Sequence, residues 1–187
     1  MNKVVLWMQS SIDGRTAGPD DEFDWPVVKE ELQGSFVEEL RNAGMFLYGR
    51  RVYNGMAAFW PTADADPDAH RFQAEFARLW RPMPKAVFSR TLTSAEWNTT
   101  VVADVQQVKA LREQADGDLV LFGGSDVVAS FVAHDLIDEY QIFVHPVALG
   151  GGSRLFPTFA ERLPMSLVSA RSYDDAVVSM RYVRDRD

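Results

Sequence analysis

Three apolar runs in this chain end in the same manner, and that pattern limits the folds open to it. They are MFLYGRRVY at 45–53, KAVFSRTL at 85–92 and LVLFGGSDVV at 119–128. In each, a strand-like run gives way to glycine or hydroxyl residues and then to a helix or loop. The first two turns also carry arginine. Small residues leave backbone N–H groups uncovered, and guanidinium adds positive charge, a combination that suits phosphate. The turns predict a phosphate-rich ligand along the carboxyl edge of one sheet. NADPH fits best, because arginine and hydroxyl groups near an adenosine ribose favour the extra 2′-phosphate over NAD. Taken singly, the two arginine turns read better as turns with solvated arginines, and the third reads equally well as a tight strand-to-helix turn. Their joint occurrence carries the ligand reading, since the chain has no G-x-G-x-x-G fingerprint.

The remaining pattern places these turns in one alternating order. Residues 3–9 read as a buried strand, followed by a polar loop to about Trp25. Pro26 suits the first position of a helix in which Val28, Leu32, Phe36 and Leu40 share a face, and Gly44 suits its end. A strand follows at Met45–Tyr48. Asp66 and Pro67 suit the start of a helix reaching Trp80, with Phe72, Phe76 and Leu79 inward. Strands are predicted at Ala86–Phe88 and Thr99–Val102. Asp104 with Gln107 makes a capping box for a helix burying Val105, Val108 and Leu111. A strand at 119–122, a helix at 126–134 and a longer strand at 137–148 come next. Two last strands, 165–173 and 176–184, flank Asp174-Asp175 as a hairpin without the usual Asn-Gly turn. The order βαβαββαβαβββ predicts a largely parallel sheet with helices on both faces and an antiparallel edge. With no repeat or linker, residues 1–187 are expected to form one domain.

Charge and composition narrow the function. The formal net charge is −8, which argues against general binding to nucleic acid or anionic membrane. An acidic chain that binds an anionic cofactor must concentrate cations locally, and Arg50, Arg51 and Arg90 are placed to do so. The absence of cysteine removes disulfides, thiolate nucleophiles and cysteine-held metals, and fits a cytoplasmic enzyme. No apolar run approaches a membrane span, and the start MNKVVLWMQSS reads as a strand rather than a signal peptide. His70, His134 and His145 are too scattered to suggest a metal site.

The candidate site residues follow from the turns. Gly49, Arg50 and Arg51, then Ser89, Arg90 and Thr91, are candidates for the 2′-phosphate end. Gly123, Gly124 and Ser125 suit a pyrophosphate at a helix N-terminus, with Val127 in that helix's first turn. In the loop SSIDGRTAG, Asp13 is the candidate polar substrate contact or proton relay, and Glu30 is the second candidate. Trp25, just before the first helix, is the candidate substrate contact. Gly150-Gly151-Gly152-Ser153 reads as a connector leading to Leu155-Phe156-Pro157, which would pack as a lid on the core.

In this order the segments SSIDGRTAG, LYGRRVY, VFSRTL, LFGGSDVVASFVAHDLIDEY and HPVALGGGSRLF resemble the dihydrofolate reductase-like superfamily. The similarity is greater to the branch containing the reductase domain of bacterial riboflavin-biosynthesis proteins. The resemblance implies a three-layer α/β/α fold, NADPH and a homodimer. It implies Gly49, Arg50 and Ser89–Thr91 around the 2′-phosphate, Gly123–Ser125 at the pyrophosphate, and Thr16 and Ala17 near the nicotinamide. It also implies a cis peptide bond between Gly123 and Gly124. The substrate half departs from the pattern. Trp7 stands where the pathway reductases carry lysine, and Phe122 where they carry glutamate. The helix carboxylate of dihydrofolate reductases falls near Gln33 counting back from Gly49, or on Glu30 counting forward from Trp25. The expected activity is NADPH-dependent reduction of a pteridine or an aminopyrimidine ribosylamine-like heterocycle, resembling 5-amino-6-(5-phosphoribosylamino)uracil reductase. The alternatives are true dihydrofolate reduction and a non-catalytic NADPH-binding protein on the same fold.

Overall fold

A computed structural model describes residues 1–65, 69–156, 158 and 161–186. The chain begins with β1 (Val4–Ser11), α1 (Glu30–Leu40), β2 (Ala43–Gly49), α2 (Arg50–Phe59) and α3 (Arg71–Trp80). It continues through β3 (Lys85–Phe88), β4 (Thr99–Val102), α4 (Val108–Gln114), β5 (Asp118–Leu121) and α5 (Ser125–Ala133). It closes with β6 (Glu139–His145), β7 (Met165–Tyr173) and β8 (Val177–Arg184). These form an eight-stranded sheet in the order β4-β3-β2-β5-β1-β6-β8-β7. The six strands from β4 to β6 run parallel, while β8 and β7 are antiparallel to their neighbours. This is the mostly parallel sheet with an antiparallel C-terminal edge that the alternation predicts.

Side chains alternate between the two faces of each strand, and each face has its own core. On one face Trp7, Phe46, Tyr48, Val120 and Phe143 pack with Leu32 and Phe36 of α1, Tyr53 of α2, and Phe76 and Trp80 of α3. On the other, Leu6, Met8, Leu47 and Leu121 pack with Val108 and Leu111 of α4 and Val128 and Phe131 of α5. Burying each such side chain contributes about 1.5–3 kcal/mol, so the central strands read as continuous apolar runs. No helix of the described residues is long and apolar enough to cross a membrane.

Local differences from the sequence reading have tertiary causes. α1 starts at Glu30 rather than at Pro26, and its cap comes from the far hairpin: the Asp174 carboxylate accepts the Glu31 and Leu32 N–H groups at 3.2 and 3.1 Å. Gly44 does not end that helix but lies inside β2. A Cβ there would stand 2.6 Å from the Gly117 backbone nitrogen, so glycine allows the two backbone segments to meet. α2 is an element that the sequence reading lacks. α3 starts at Arg71, capped by His70 and Gln73; Asp66 and Pro67 lie outside the described residues. The Asp104–Gln107 box forms as expected, but its first turn is a 3₁₀ turn and α4 begins at Val108. The strand expected at 137–148 is shorter, ending at His145. Asp174 and Asp175 both have positive φ, 52° and 51°, the dihedral signature of a type I′ turn made without glycine.

Candidate functional site

The sheet order brings the three glycine and hydroxyl turns together. β3, β2 and β5 are consecutive neighbours and parallel, so the turns after Phe88, Gly49 and Leu121 emerge side by side. The Gly49 N–H donates to the Gly123 carbonyl at 2.7 Å. A Cβ on Gly49 would stand 3.2 Å from both the Gly124 nitrogen and Val127 Cγ1. Arg50 Nη1 donates to Thr91 Oγ1 at 2.8 Å, and Ser89 Oγ accepts the Leu92 N–H at 3.0 Å. The peptide bond between Gly123 and Gly124 is cis, as the resemblance implies.

Two helices open into this cradle. Gly49 caps α2 and Gly124 caps α5, and neither supplies a side-chain oxygen to the first-turn N–H groups. Those N–H groups and the helix dipoles favour an anion. Arg90 is exposed and makes no ion pair with a described residue, and Arg50 binds only the Thr91 hydroxyl. Arg51 is engaged differently: its guanidinium meets the carboxylate of Asp21, in the loop after β1, at 3.0 Å. Backbone approach, uncapped amides and two unneutralised guanidinium groups together fit a dinucleotide with an added phosphate.

The loop after β1 is laced to the glycine-rich segment after β6. Asp13 accepts the Ser11 hydroxyl at 2.6 Å, the Leu149 N–H at 3.0 Å and the Gly150 N–H at 2.8 Å. These bonds, the Ser11 hydroxyl foremost, hold its carboxyl at about 2. Such a group is ionised at neutral pH and a weak base, and its three bonds brace two loops. Thr16 donates its N–H to the Ser153 carbonyl at 2.9 Å, and Ser153 returns one to the Ala17 carbonyl at 3.1 Å. A Cβ on Gly152 would fall 2.1 Å from the Ala17 carbonyl oxygen, and its φ is +87°, so the segment is glycine-rich for contact with this loop. Leu155 is buried as expected; Pro157 of the expected lid lies outside the described residues.

The α1 side of the site is aromatic. The Trp7 ring lies 4.8 Å from Phe143 and 5.5 Å from Phe36, and Phe122 stacks on Tyr48 at 5.3 Å. Glu30 is exposed at the first residue of α1, while Gln33 is half-buried and bonds the Val28 carbonyl at 3.0 Å. Trp25 is half-buried, its ring edge-on to His145 at 5.6 Å, and its indole N–H is buried without a partner among the described residues. His145 and Gln9 are the site residues that sequence reasoning missed. His145 Nδ1 accepts the Val27 N–H at 2.9 Å, and its Nε2 lies 2.6 Å from Gln9 Oε1. The available signal was positional: a histidine before proline at the end of the strand next to β1.

The model of the RibD C-terminal domain matches residues 2–179. The chain belongs to the RibD C-terminal domain family. The uncharacterized protein YyaP of Bacillus subtilis (strain 168) is 28% identical to this chain over 182 residues, covering 96% of this chain and 94% of YyaP. A putative riboflavin biosynthesis protein from Shewanella sp. PV-4 has a similar fold, with a TM-score of 0.77 at 22% identity, covering 98% of this chain and 99% of that one. The Thermotoga maritima diaminohydroxyphosphoribosylaminopyrimidine deaminase/5-amino-6-(5-phosphoribosylamino)uracil reductase aligns at TM-score 0.66 and 15% identity, over 98% of this chain and 57% of that one. Enterococcus faecalis dihydrofolate reductase complexed with NADP(H) and RAB-propyl aligns at TM-score 0.65 and 12% identity, over 98% and 97% of the two chains. The RibD C-terminal domain of this chain thus has the dihydrofolate reductase-like α/β fold.

Proposed function

We propose that this RibD C-terminal domain protein is an NADPH-dependent reductase of a small planar heterocycle. The convergence of Gly49–Arg50, Ser89–Thr91 and Gly123–Ser125 at one sheet edge carries this reading. Arg50 and Arg90, with the Ser89 and Thr91 hydroxyls, would hold the 2′-phosphate. The uncapped first turn of α5 would hold the pyrophosphate, with Val127 packed behind Gly49. Thr16 and Ala17 lie in the loop laced to residues 149–153, beside the end of β1 where the nicotinamide would sit. The cofactor supplies a hydride when bound; the protein's part is to orient it, exclude water and place the substrate. The reductase named for the Thermotoga structure supports a substrate of the pteridine or aminopyrimidine kind. True dihydrofolate reduction is less well supported, because Glu30 is exposed at the first residue of α1. Trp7 and Phe122, in place of the ionic residues of the pathway reductases, favour a neutral substrate, or a nucleotide-binding protein without turnover.

The test is selective loss of phosphate recognition. Arg50→Ala and Arg90→Ala are expected to weaken NADPH by about tenfold each, the loss of one charge-assisted contact, and to leave NADH nearly unchanged. Calorimetric titration with both cofactors measures this. Equal losses for the two cofactors contradict the assignment. An oxidation assay against dihydropteridines and aminopyrimidine ribosylamines, read by NADPH absorbance, then identifies the substrate or shows that turnover is absent.

The same reading includes a homodimer. α4 and α5 do not reach the β8-β7 end of their sheet face, and Leu167, Val168 and Val178 are exposed there and along the edge strand.

A further inference from the structure

Hydrogen-bond polarity at the end of β6 determines which groups face a substrate. His145 is fully buried, at 0% exposure. A backbone N–H only donates, so the bond from Val27 requires a lone pair on Nδ1. With no counter-charge beside it, the ring is neutral and carries its single proton on Nε2. That N–H faces Gln9 Oε1 at 2.6 Å. The Gln9 carboxamide is therefore oriented: its oxygen serves His145, and its NH₂ points away, with no acceptor among the described residues. Trp25, edge-on to the same imidazole, holds a second N–H without a partner.

The Gln9 donor is one residue along β1 from a contact of the glycine turn. Gln9 follows Met8, whose sulfur lies 3.0 Å from where a Cβ on Gly123 would stand. Met8 faces α5, and Gln9 faces α1 with Trp7. On that face Gln9 stands opposite Phe143 in the register of β1 and β6, Trp7 and Phe143 are buried in the core with Phe122 half-buried beside them, and none of these side chains, nor Trp25, is charged.

We propose that Gln9 and Trp25 form a donor pair that binds a carbonyl or ring-nitrogen acceptor on the edge of a neutral planar heterocycle, with His145 positioning Gln9. This rests on the reductase reading above and specifies its substrate class. Two pteridines of opposite edge polarity probe it: lumazine, whose ring carries carbonyl acceptors, and diaminopteridine, whose ring carries amino donors. Each is titrated calorimetrically into protein saturated with NADP⁺. Wild type is expected to prefer lumazine. Gln9→Glu replaces a donor by an acceptor and is expected to weaken lumazine by about tenfold or more and to strengthen diaminopteridine. His145→Leu removes the group that orients Gln9 and is expected to erase the preference, while His145→Gln, which keeps an amide N–H, retains part of it. NADP⁺ affinity, unchanged in all three variants, reports that they are folded. Equal effects of Gln9→Glu on both probes, or wild type that binds NADP⁺ but neither pteridine, overturn the inference and leave the cofactor reading intact. Failure of NADP⁺ to bind wild type removes both, and is seen before any pteridine is added.

Discussion

At His145, burial acts on the ring without a counter-ion. Its environment lowers its pKa from the ordinary 6.5 to about 4, and loss of water around the charged form is the cause. As pH falls below about 6.5, the unfolded chain takes up a proton on this ring and the folded chain does not until near 4. The unfolded state thus binds more protons in that window, and the ring's contribution to stability falls as pH falls through it. Between pH 7 and 5 the loss is about 2 kcal/mol by linkage from that shift. Urea unfolding of wild type and His145→Gln at the two pH values measures it, since glutamine does not titrate and other groups cancel in the comparison. A wild-type loss no larger than the variant's would show that the ring is charged or exposed. Heteronuclear spectra at pH 6 are expected to show a neutral imidazole protonated on Nε2. This chemistry was not legible from the chain alone. Gln9 and His145 are 136 positions apart, and only the parallel register of β1 and β6, which sets Ser11 opposite His145, brings them together. Asp13 shows the converse: its glycine-rich context was legible, but its role was set by Leu149 and Gly150, equally distant in sequence.

Elements whose determinants are local were legible, and those with distant determinants were not. The strands entering the three turns were read correctly because an apolar run followed by small residues is a local signal. α2 escaped because arginines at its first turn oppose the dipole rule and Gly55 weakens its middle; Tyr53, buried under the loop at Glu96, holds it instead. α1 was placed too early because Pro26 is a good first-turn residue, whereas the acceptor its N–H groups need is on the β7–β8 turn. Asp174 is the element-scale test of that account. The Asp174 N–H also returns a bond to the Glu31 carboxylate at 3.0 Å, so the hairpin and helix cap each other. Asp174→Ala removes two acceptors and puts alanine at positive φ, and is expected to cost about 1–2 kcal/mol. Asp174→Asn keeps an acceptor and tolerates that φ, and is expected to cost less than half as much. Chemical denaturation of the two variants checks this, and an alanine variant as stable as wild type would mean that water caps α1 equally well.

At the scale of the whole molecule, the sheet divides its work between its two ends. The β3-β2-β5-β1 half has helices on both faces and presents its carboxyl edge as the cradle. Among the described residues no helix lies over the β6-β8-β7 half on the face that carries Tyr140, Ile142, Val144, Met180 and Tyr182; Leu155, Phe156 and Leu163 pack there instead, and a groove of about 430 Å³ opens between them and the sheet. The antiparallel register puts Leu167 opposite Tyr182 and Ser172 opposite Val178, so Leu167 and Val178 extend the same apolar face outward. β7 is also an edge strand of nine residues, largely exposed, with little to discourage another chain from covering it. Leu167, Val168 and Val178 leave an apolar edge beside this groove in water, and the simplest cover is the same face of a second copy across a twofold axis. Sedimentation at micromolar concentration is expected to give a particle of two chains of 21.1 kDa each. Placing lysine at both Leu167 and Val178 sets like charges against each other across that axis, and is expected to yield monomers. Because the cradle is built from the other half of the sheet, those monomers are expected to bind NADPH as tightly as wild type. Wild type that sediments as one chain would remove the dimer from this account, and a monomeric variant with weakened NADPH would show that the two halves of the sheet are not independent.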